Sequence, residues 1–148
     1  MGMIENCQKK REEGWVIKMT KKRILVVDDE KDFVEMIKFR LEASGYEVIA
    51  AFDGIQGVSF AKRKMPDLIL LDVMMPAGGG YLVCERLKMS SNTWSIPIIF
   101  LTAKSQPEDE AKAYSLGAKY FLTKPYEPKV LLAMVKKALE SSQELESE

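Results

Sequence analysis

The stretch that decides the fold is Asp67–Pro76, with the sequence DLILLDVMMP. Its consecutive aliphatic residues, Leu68–Leu71, do not alternate with polar ones, a pattern typical of a strand buried on both faces of a parallel sheet. The run ends at Asp72, and Pro76 cannot continue the hydrogen-bonded ladder. Because ligands of open α/β sheets bind beyond the carboxyl ends of the strands, Asp72 lies where chemistry is expected. Taken alone, however, an Asp in this position is more often a polar strand terminator.

Composition excludes several classes of function. The chain has 148 residues, enough for one domain, and its 22 basic and 22 acidic residues cancel, so we expect no direct binding of nucleic acid. No apolar run approaches the ~20 residues of a membrane-spanning helix, and we expect no membrane insertion. The absence of histidine excludes Ser-His-Asp and Cys-His nucleophile systems. Two distant cysteines, Cys7 and Cys84, predict free thiols and a cytoplasmic location.

Strands and helices are predicted to alternate on both sides of the central strand. The predicted strands are 24–27, 46–51, 67–71, 96–101 and 119–122. The predicted helices are 31–43, 53–64, 81–88, 107–116 and one that begins near 128. This domain of residues 23–141 follows an arm of residues 1–22, expected to be loosely ordered and in part helical. An acidic tail of residues 142–148 is expected to fray.

Five strands, each followed by a helix, predict an α/β fold: a doubly wound parallel sheet with helices on both faces. The carboxyl edge of such a sheet gathers the residues that end each strand. These residues are Asp28, Asp29, Asp72, Thr102 and Lys124.

The chemistry of this set points to phosphoryl transfer. Three carboxylates repel one another unless a cation lies between them, and ligands that are all oxygen favour Mg²⁺, with Asp29 and Asp72 as direct ligands and Asp28 acting through water or a hydrogen bond. Lys124 adds a positive charge, and Thr102 offers a hydroxyl to a phosphoryl oxygen. A carboxylate can act as the nucleophile and form an aspartyl phosphate, and Asp72 is the candidate.

Four motifs closely resemble the receiver domain of two-component response regulators. The resemblance covers about residues 23–140, and its motifs occur in the family's order. The motifs are VVDDE at 26–30, LLDVMMP at 70–76, LTAKS at 101–105 and GAKYFLTKP at 117–125.

The resemblance implies a flavodoxin-like fold with strand order 2-1-3-4-5 and five flanking helices, Mg²⁺ dependence, and transfer of a phosphoryl group to Asp72. It implies that the main-chain carbonyl of Met74 completes the metal site, that Thr102 and Phe121 form a switch, and that the Lys124–Pro125 peptide is cis.

The partners implied are a sensor histidine kinase or phosphotransfer protein as donor, and a downstream protein target or an output domain as receiver of the signal. The surface that changes is expected to be the face of the fourth helix, fifth strand and fifth helix, which is also compatible with a homodimer. After Lys124 only one helix and a tail remain, so the sequence leaves open whether the domain acts alone or belongs to a longer regulator.

Four residues near the predicted site bear on its behaviour. Gly79 replaces the acidic helix cap that is usual after the phosphorylation site, and Phe121 stands where Tyr is frequent. Met74 and Lys104 each lie two residues beyond a site residue, where they can screen the phosphoryl group from water. A persistent acyl phosphate is therefore expected.

Three alternatives compete with a receiver domain. A haloacid dehalogenase-type phosphatase needs a second Asp two residues after its nucleophile, and position 74 is Met. A flavin mononucleotide carrier needs a Ser/Thr/Gly-rich phosphate loop, where this chain has the acidic run Asp28–Glu30. A receiver-like interaction domain that is never phosphorylated stays open.

Overall fold

A hairpin precedes the main domain. The structure, a computed structural model, describes the backbone of residues 8–11, 14–17, 21–76 and 79–147, and side chains within 21–76 and 79–141. Strands β1 (Gln8–Arg11) and β2 (Gly14–Ile17) pair antiparallel, so the helix expected in this arm is wrong for these two segments. The aromatic and β-branched residues of the sequence WVI at 15–17 favour a strand. Any helix or loose order in the rest of the arm lies outside the described residues.

Five parallel strands form the central sheet, in the order β4-β3-β5-β6-β7. This order is 2-1-3-4-5 when the strands are counted within the domain, and it confirms the predicted topology. The strands are β3 (Arg23–Val27), β4 (Glu47–Ala51), β5 (Leu68–Leu71), β6 (Ile98–Thr102) and β7 (Tyr120–Thr123). The strand predicted to begin at residue 96 begins two residues later, because Pro97 has no N–H for a ladder bond.

Five helices cover the two faces of the sheet, as expected. They are α1 (Lys31–Ala43), α2 (Gly54–Lys64), α3 (Gly79–Lys88), α4 (Pro107–Ser115) and α5 (Pro128–Ser147). One core cluster joins the sheet to α2, α3 and α4, and the other joins it to α1 and α5. The backbone of α5 continues to Ser147, through most of the segment predicted to fray. Among the described residues, no helix has the length and apolarity needed to cross a bilayer.

The start of α3 packs tightly against the end of β5. The main-chain N–H of Gly80 donates to the carbonyl of Val73 at 2.9 Å. A Cβ on Gly80 would lie 2.0 Å from the main-chain oxygen of Asp72, and Gly79 has a φ of +68°. Helix α3 therefore begins two residues earlier than predicted. Two glycines allow this approach, and the positive φ gives a physical reason for Gly79 in place of an acidic cap.

We expect Gly80→Ala to lower the free energy of unfolding by about 1–3 kcal/mol, because its methyl group would meet a backbone oxygen that cannot move aside. Gly54→Ala, at the start of α2, is the matched control. Its methyl group would lie 2.8 Å from Cγ2 of Val83, a side-chain methyl at a longer distance and not a backbone oxygen. Urea unfolding of both variants measures the difference, and equal losses would contradict the proposed close approach.

Candidate acidic site at the carboxyl edge of the sheet

Pairing between the strands places two aspartates side by side at the carboxyl edge. The main-chain N–H of Asp72 donates to the carbonyl of Val27 at 3.0 Å, and that of Asp28 donates to the carbonyl of Ala51 at 3.1 Å. The ladders thus extend one residue beyond β3 and β5 and fix the backbone of both aspartates. Asp28 is only 2% exposed and Asp72 only 5%. Asp28 and Asp72, which the sequence predicts at one edge of the sheet, therefore lie together there as buried carboxylates.

Each buried carboxylate has one oxygen bonded within its own turn. Oδ1 of Asp28 accepts a hydrogen bond from the main-chain N–H of Glu30 at 2.9 Å. Oδ1 of Asp72 accepts one from the N–H of Met74 at 3.1 Å. These bonds hold both carboxylates in place. The Oδ2 atom of each is left for partners elsewhere in the site.

Lys124 supplies the positive charge of the site. Its Nζ lies 2.7 Å from Oδ2 of Asp28, 3.9 Å from Oδ2 of Asp72 and 3.5 Å from Oε1 of Glu30. Burial raises the pKa of Asp28, and the hydrogen bond from Lys124 opposes that rise. The Lys124–Pro125 peptide is cis, as the resemblance implied.

Thr102 ends β6 in a fully buried position. Its Oγ1 accepts a hydrogen bond of 3.3 Å from the main-chain N–H of Lys104, and its carbonyl accepts one of 2.7 Å from the N–H of Lys124. The other predicted switch residue, Phe121, is 7% exposed and packs against Phe100 with 6.4 Å between ring centroids. The ring of Phe121 thus already lies inside the core, as one member of the cluster under α4.

Two contacts of Lys124 were missed by the sequence analysis. Glu30 is a second carboxylate partner, although its side chain is 68% exposed. The ring centroid of Phe33 lies 3.7 Å from Nζ of Lys124, close enough for a cation–π interaction. Glu30 belongs to the motif VVDDE at 26–30, so the sequence placed it next to the predicted site. Phe33 appeared only as part of the apolar stripe of α1, and nothing in the sequence linked it to Lys124.

The residues present fit a hard divalent cation. Carboxylate oxygens of Asp28, Asp29 and Asp72 lie within 4.8 Å of one another, and Asp29 is exposed to solvent. The ammonium of Lys124 lies within 4 Å of carboxylate oxygens of Asp28 and Asp72, so one positive charge is set against three aspartates and the cluster keeps excess negative charge. Oxygen ligands of this kind are those that Mg²⁺ prefers. The part of the Met74 carbonyl in such a site stays a prediction.

Comparison with known proteins gives consistent results. The family described as "Response regulator receiver domain" matches residues 24–136 of this chain. The alkaline phosphatase synthesis transcriptional regulatory protein PhoP of Bacillus subtilis is 43% identical over 82% of this chain and 50% of its own length. The DNA-binding dual master transcriptional regulator RpaA of Synechocystis is 40% identical over 79% of this chain and 48% of its own length. The chain thus spans about half the length of these curated relatives.

A solved structure shares the fold over the same region. The crystal structure of a response regulator receiver domain protein, described as CheY-like, from Methanospirillum hungatei superimposes with a TM-score of 0.79 and 27% sequence identity. The match covers 84% of this chain and 98% of that one. This chain therefore matches about half of each curated relative, but nearly the whole chain of the solved structure.

We expect Mg²⁺ to raise the midpoint of thermal unfolding, because a ligand that binds only the folded state stabilises it, by about 2.7 kcal/mol at a hundred times Kd. Asp28→Asn and Asp72→Asn should each reduce this shift, since each removes a carboxylate charge from the cluster. Asp32→Asn, an exposed carboxylate in the first turn of α1, is the matched control and should keep it. A chelator should reverse the shift. An equal shift in all variants would place the metal elsewhere.

Proposed function

The chain belongs to the family of response regulator receiver domains, and we propose that it is a phosphoacceptor switch of a two-component system in which Asp72 receives a phosphoryl group from a phosphohistidine. The observation that carries this proposal is the geometry of one edge of the sheet. Two buried aspartates, Asp28 and Asp72, lie within 4 Å of the Nζ of Lys124, and the exposed Asp29 completes the acidic cluster.

The transfer itself needs a nucleophile and neutralisation of charge. Oδ1 of Asp72 is held by the N–H of Met74, so Oδ2 is the oxygen left to attack phosphorus. The P–O bond to Asp72 forms as the P–N bond of the donor breaks, and the donor histidine keeps the electron pair of that bond. Lys124 meets the negative charge of the arriving phosphoryl oxygens. Mg²⁺, held by Asp28, Asp29, Asp72 and the Met74 carbonyl, would neutralise further charge on the phosphoryl group.

Thr102 is the residue that we propose to carry the signal away from the site. Its hydroxyl donates to a phosphoryl oxygen in this proposal, and the hydrogen bond from Lys104 is given up. The buried ring of Phe121 then moves towards the space that Thr102 leaves, and the face formed by α4, β7 and α5 changes its conformation. A shift from 1:99 to 99:1 takes about 5.5 kcal/mol, and two or three hydrogen bonds to charged groups, at about 1.5–3 kcal/mol each, are of that order.

The partners of the proposed switch follow from its chemistry. A sensor histidine kinase or phosphotransfer protein supplies the phosphoryl group, and a downstream protein or an output domain receives the signal. We propose contact at the face of α4, β7 and α5, including a homodimer, and the β7–α5 part of that face carries a shallow apolar groove of about 380 Å³. Its lining residues are Tyr120, Lys129, Val130, Ala133, Met134 and Lys137. A cytoplasmic location remains a prediction from the sequence.

A switch fits this site better than turnover of an external substrate. A haloacid dehalogenase-type phosphatase would carry both acids on one strand, whereas Asp28 and Asp72 follow two neighbouring strands, β3 and β5. We therefore propose that Asp72 stores a phosphoryl group, and that repeated hydrolysis of phosphomonoesters does not occur. Met74 is 55% exposed, and the side chain of Lys104 is 42% exposed. Both residues lie at the rim of the site, where we propose that they shield the acyl phosphate from water.

Acetyl phosphate with Mg²⁺ should add one phosphoryl group to the protein, detected by intact mass, because a small acyl phosphate can replace the protein donor. Asp72→Asn should abolish the adduct. Asp53→Asn is the matched control, since Asp53 follows β4 at the same edge but caps α2 through a hydrogen bond from Gln56 that Asn can keep. An adduct that persists in Asp72→Asn would refute the assignment of the acceptor.

Thr102→Ala should leave phosphorylation in place but remove its effect on amide hydrogen exchange in α4, β7 and α5, because the proposed coupling runs through the hydroxyl. Thr123→Ala is the control: it removes the same hydroxyl from the residue that faces Thr102 across the β6–β7 register. Should phosphorylation still change exchange in Thr102→Ala as it does in the unmodified chain, this coupling would be wrong.

A further inference from the structure

Lys104 connects the site to the first turn of α4. Its main-chain N–H is bonded to Oγ1 of Thr102, while its Nζ lies 3.6 Å from Oδ1 of Asp109. The side chain of Lys104 is 42% exposed and that of Asp109 only 14%. Lys104 therefore contacts Thr102, the proposed switch residue, through its backbone and Asp109 through its ammonium. Asp109 lies in the first turn of α4, which belongs to the face of α4, β7 and α5.

Asp109 is held in place by α3. The hydroxyl of Tyr81 lies 3.1 Å from the main-chain oxygen of Asp109 and 3.3 Å from its Oδ1. Burial and the charge of Asp109 raise the pKa of Tyr81 to about 12, so the hydroxyl keeps its proton and donates. The ring of Tyr81 packs edge-on against Phe100 with 5.6 Å between centroids. Asp109 is thus the fixed member of the ion pair, and the exposed Lys104 is the member free to move.

A phosphoryl group on Asp72 would offer the ammonium of Lys104 a second anionic partner. Asp72 follows β5 and Thr102 ends the neighbouring strand β6, and Lys104 lies two residues beyond Thr102 at the same edge. An ion pair with an exposed member, such as Lys104 with Asp109, contributes little in water. A phosphoryl group carries more charge and several strong acceptor oxygens. The ammonium therefore has reason to leave Asp109 once Asp72 is phosphorylated.

We propose that Asp109 competes with the phosphoryl group on Asp72 for the ammonium of Lys104. Asp109 is then a positioning residue that lowers the affinity of the site for a phosphoryl group, and phosphorylation breaks the ion pair that ties Lys104 to the first turn of α4. This inference rests on the proposed function of Asp72. It assigns to the pair Lys104–Asp109 a link between site and α4 that does not pass through Phe121.

The test uses beryllium fluoride with Mg²⁺ as a mimic of the phosphoryl group, and measures the bound fraction by fluorine NMR on the full chain. Asp109→Asn removes the competitor and is expected to tighten binding by about twofold to fivefold, the range of an exposed ion pair. Lys104→Gln is expected to weaken binding, and Lys104→Arg to restore it. A merely structural role of Asp109 would not tighten binding.

A double-mutant cycle and a matched control complete the test. In the Lys104→Gln background, Asp109→Asn should have no further effect, because the competed group is gone. Glu110→Gln removes the same charge from an exposed neighbour in the first turn of α4 and should leave binding unchanged. The proposal is overturned if Glu110→Gln tightens binding as Asp109→Asn does, or if the effect of Asp109→Asn persists without Lys104.

Failure of the proposed function gives a different result. If the unmodified chain does not bind the mimic, or if Asp72→Asn binds it equally well, then the phosphoacceptor role fails and the competition fails with it. If the unmodified chain binds and Asp72→Asn does not, while Asp109→Asn leaves the affinity unchanged, only the competition is wrong.

Discussion

The structure of the site depends on the close approach of two buried carboxylates, Asp28 and Asp72, held side by side by the pairing of β3 with β5. Buried like charges at this separation are unfavourable unless a positive charge or a proton relieves them. Lys124 provides the positive charge, 2.7 Å from one carboxylate and 3.9 Å from the other. The unequal distances matter, because Asp72 is left less neutralised than Asp28. A nucleophile needs that residual charge, whereas a purely structural ion pair does not.

The rest of the domain holds this arrangement in position. Lys124 leaves β7, the edge strand, and its backbone N–H is tied to the carbonyl of Thr102 on β6. On the other side, Gly80 lets α3 begin against the main-chain oxygen of Asp72. The ring of Phe33 on α1 packs against the ammonium. Helices on both faces of the sheet thus contact the site, α3 at the main-chain oxygen of Asp72 and α1 at the ammonium of Lys124.

Much of this could be predicted from the sequence because strand ends are set by local patterns and parallel topology brings them to one edge. Asp72 followed a run of aliphatic residues, and the alternation of strands and helices fixed which edge it shared with Thr102. The contacts of helix side chains were not predictable in the same way. The link between Tyr81 and Asp109 joins residues 28 positions apart on two helices, and its partners depend on how α3 and α4 pack. The hairpin at β1 and β2 was missed because segments of four residues are too short to show a clear periodicity.

Aromatic packing on β6 offers a physical route between Thr102, the proposed switch residue, and its neighbouring elements. Thr102 and Phe100 are two residues apart on one strand, so their side chains lie on the same face of the sheet. Phe100 packs against Tyr81 of α3 on one side and Phe121 of β7 on the other. Since Phe121 is already buried and has no hydroxyl, it can respond to Thr102 only through packing. The hydroxyl of Tyr81, bonded to Asp109 at the start of α4, is the polar group of this aromatic row. In the proposed switch, packing would carry the signal from Thr102 towards β7, while hydrogen bonding and charge would carry it towards α4.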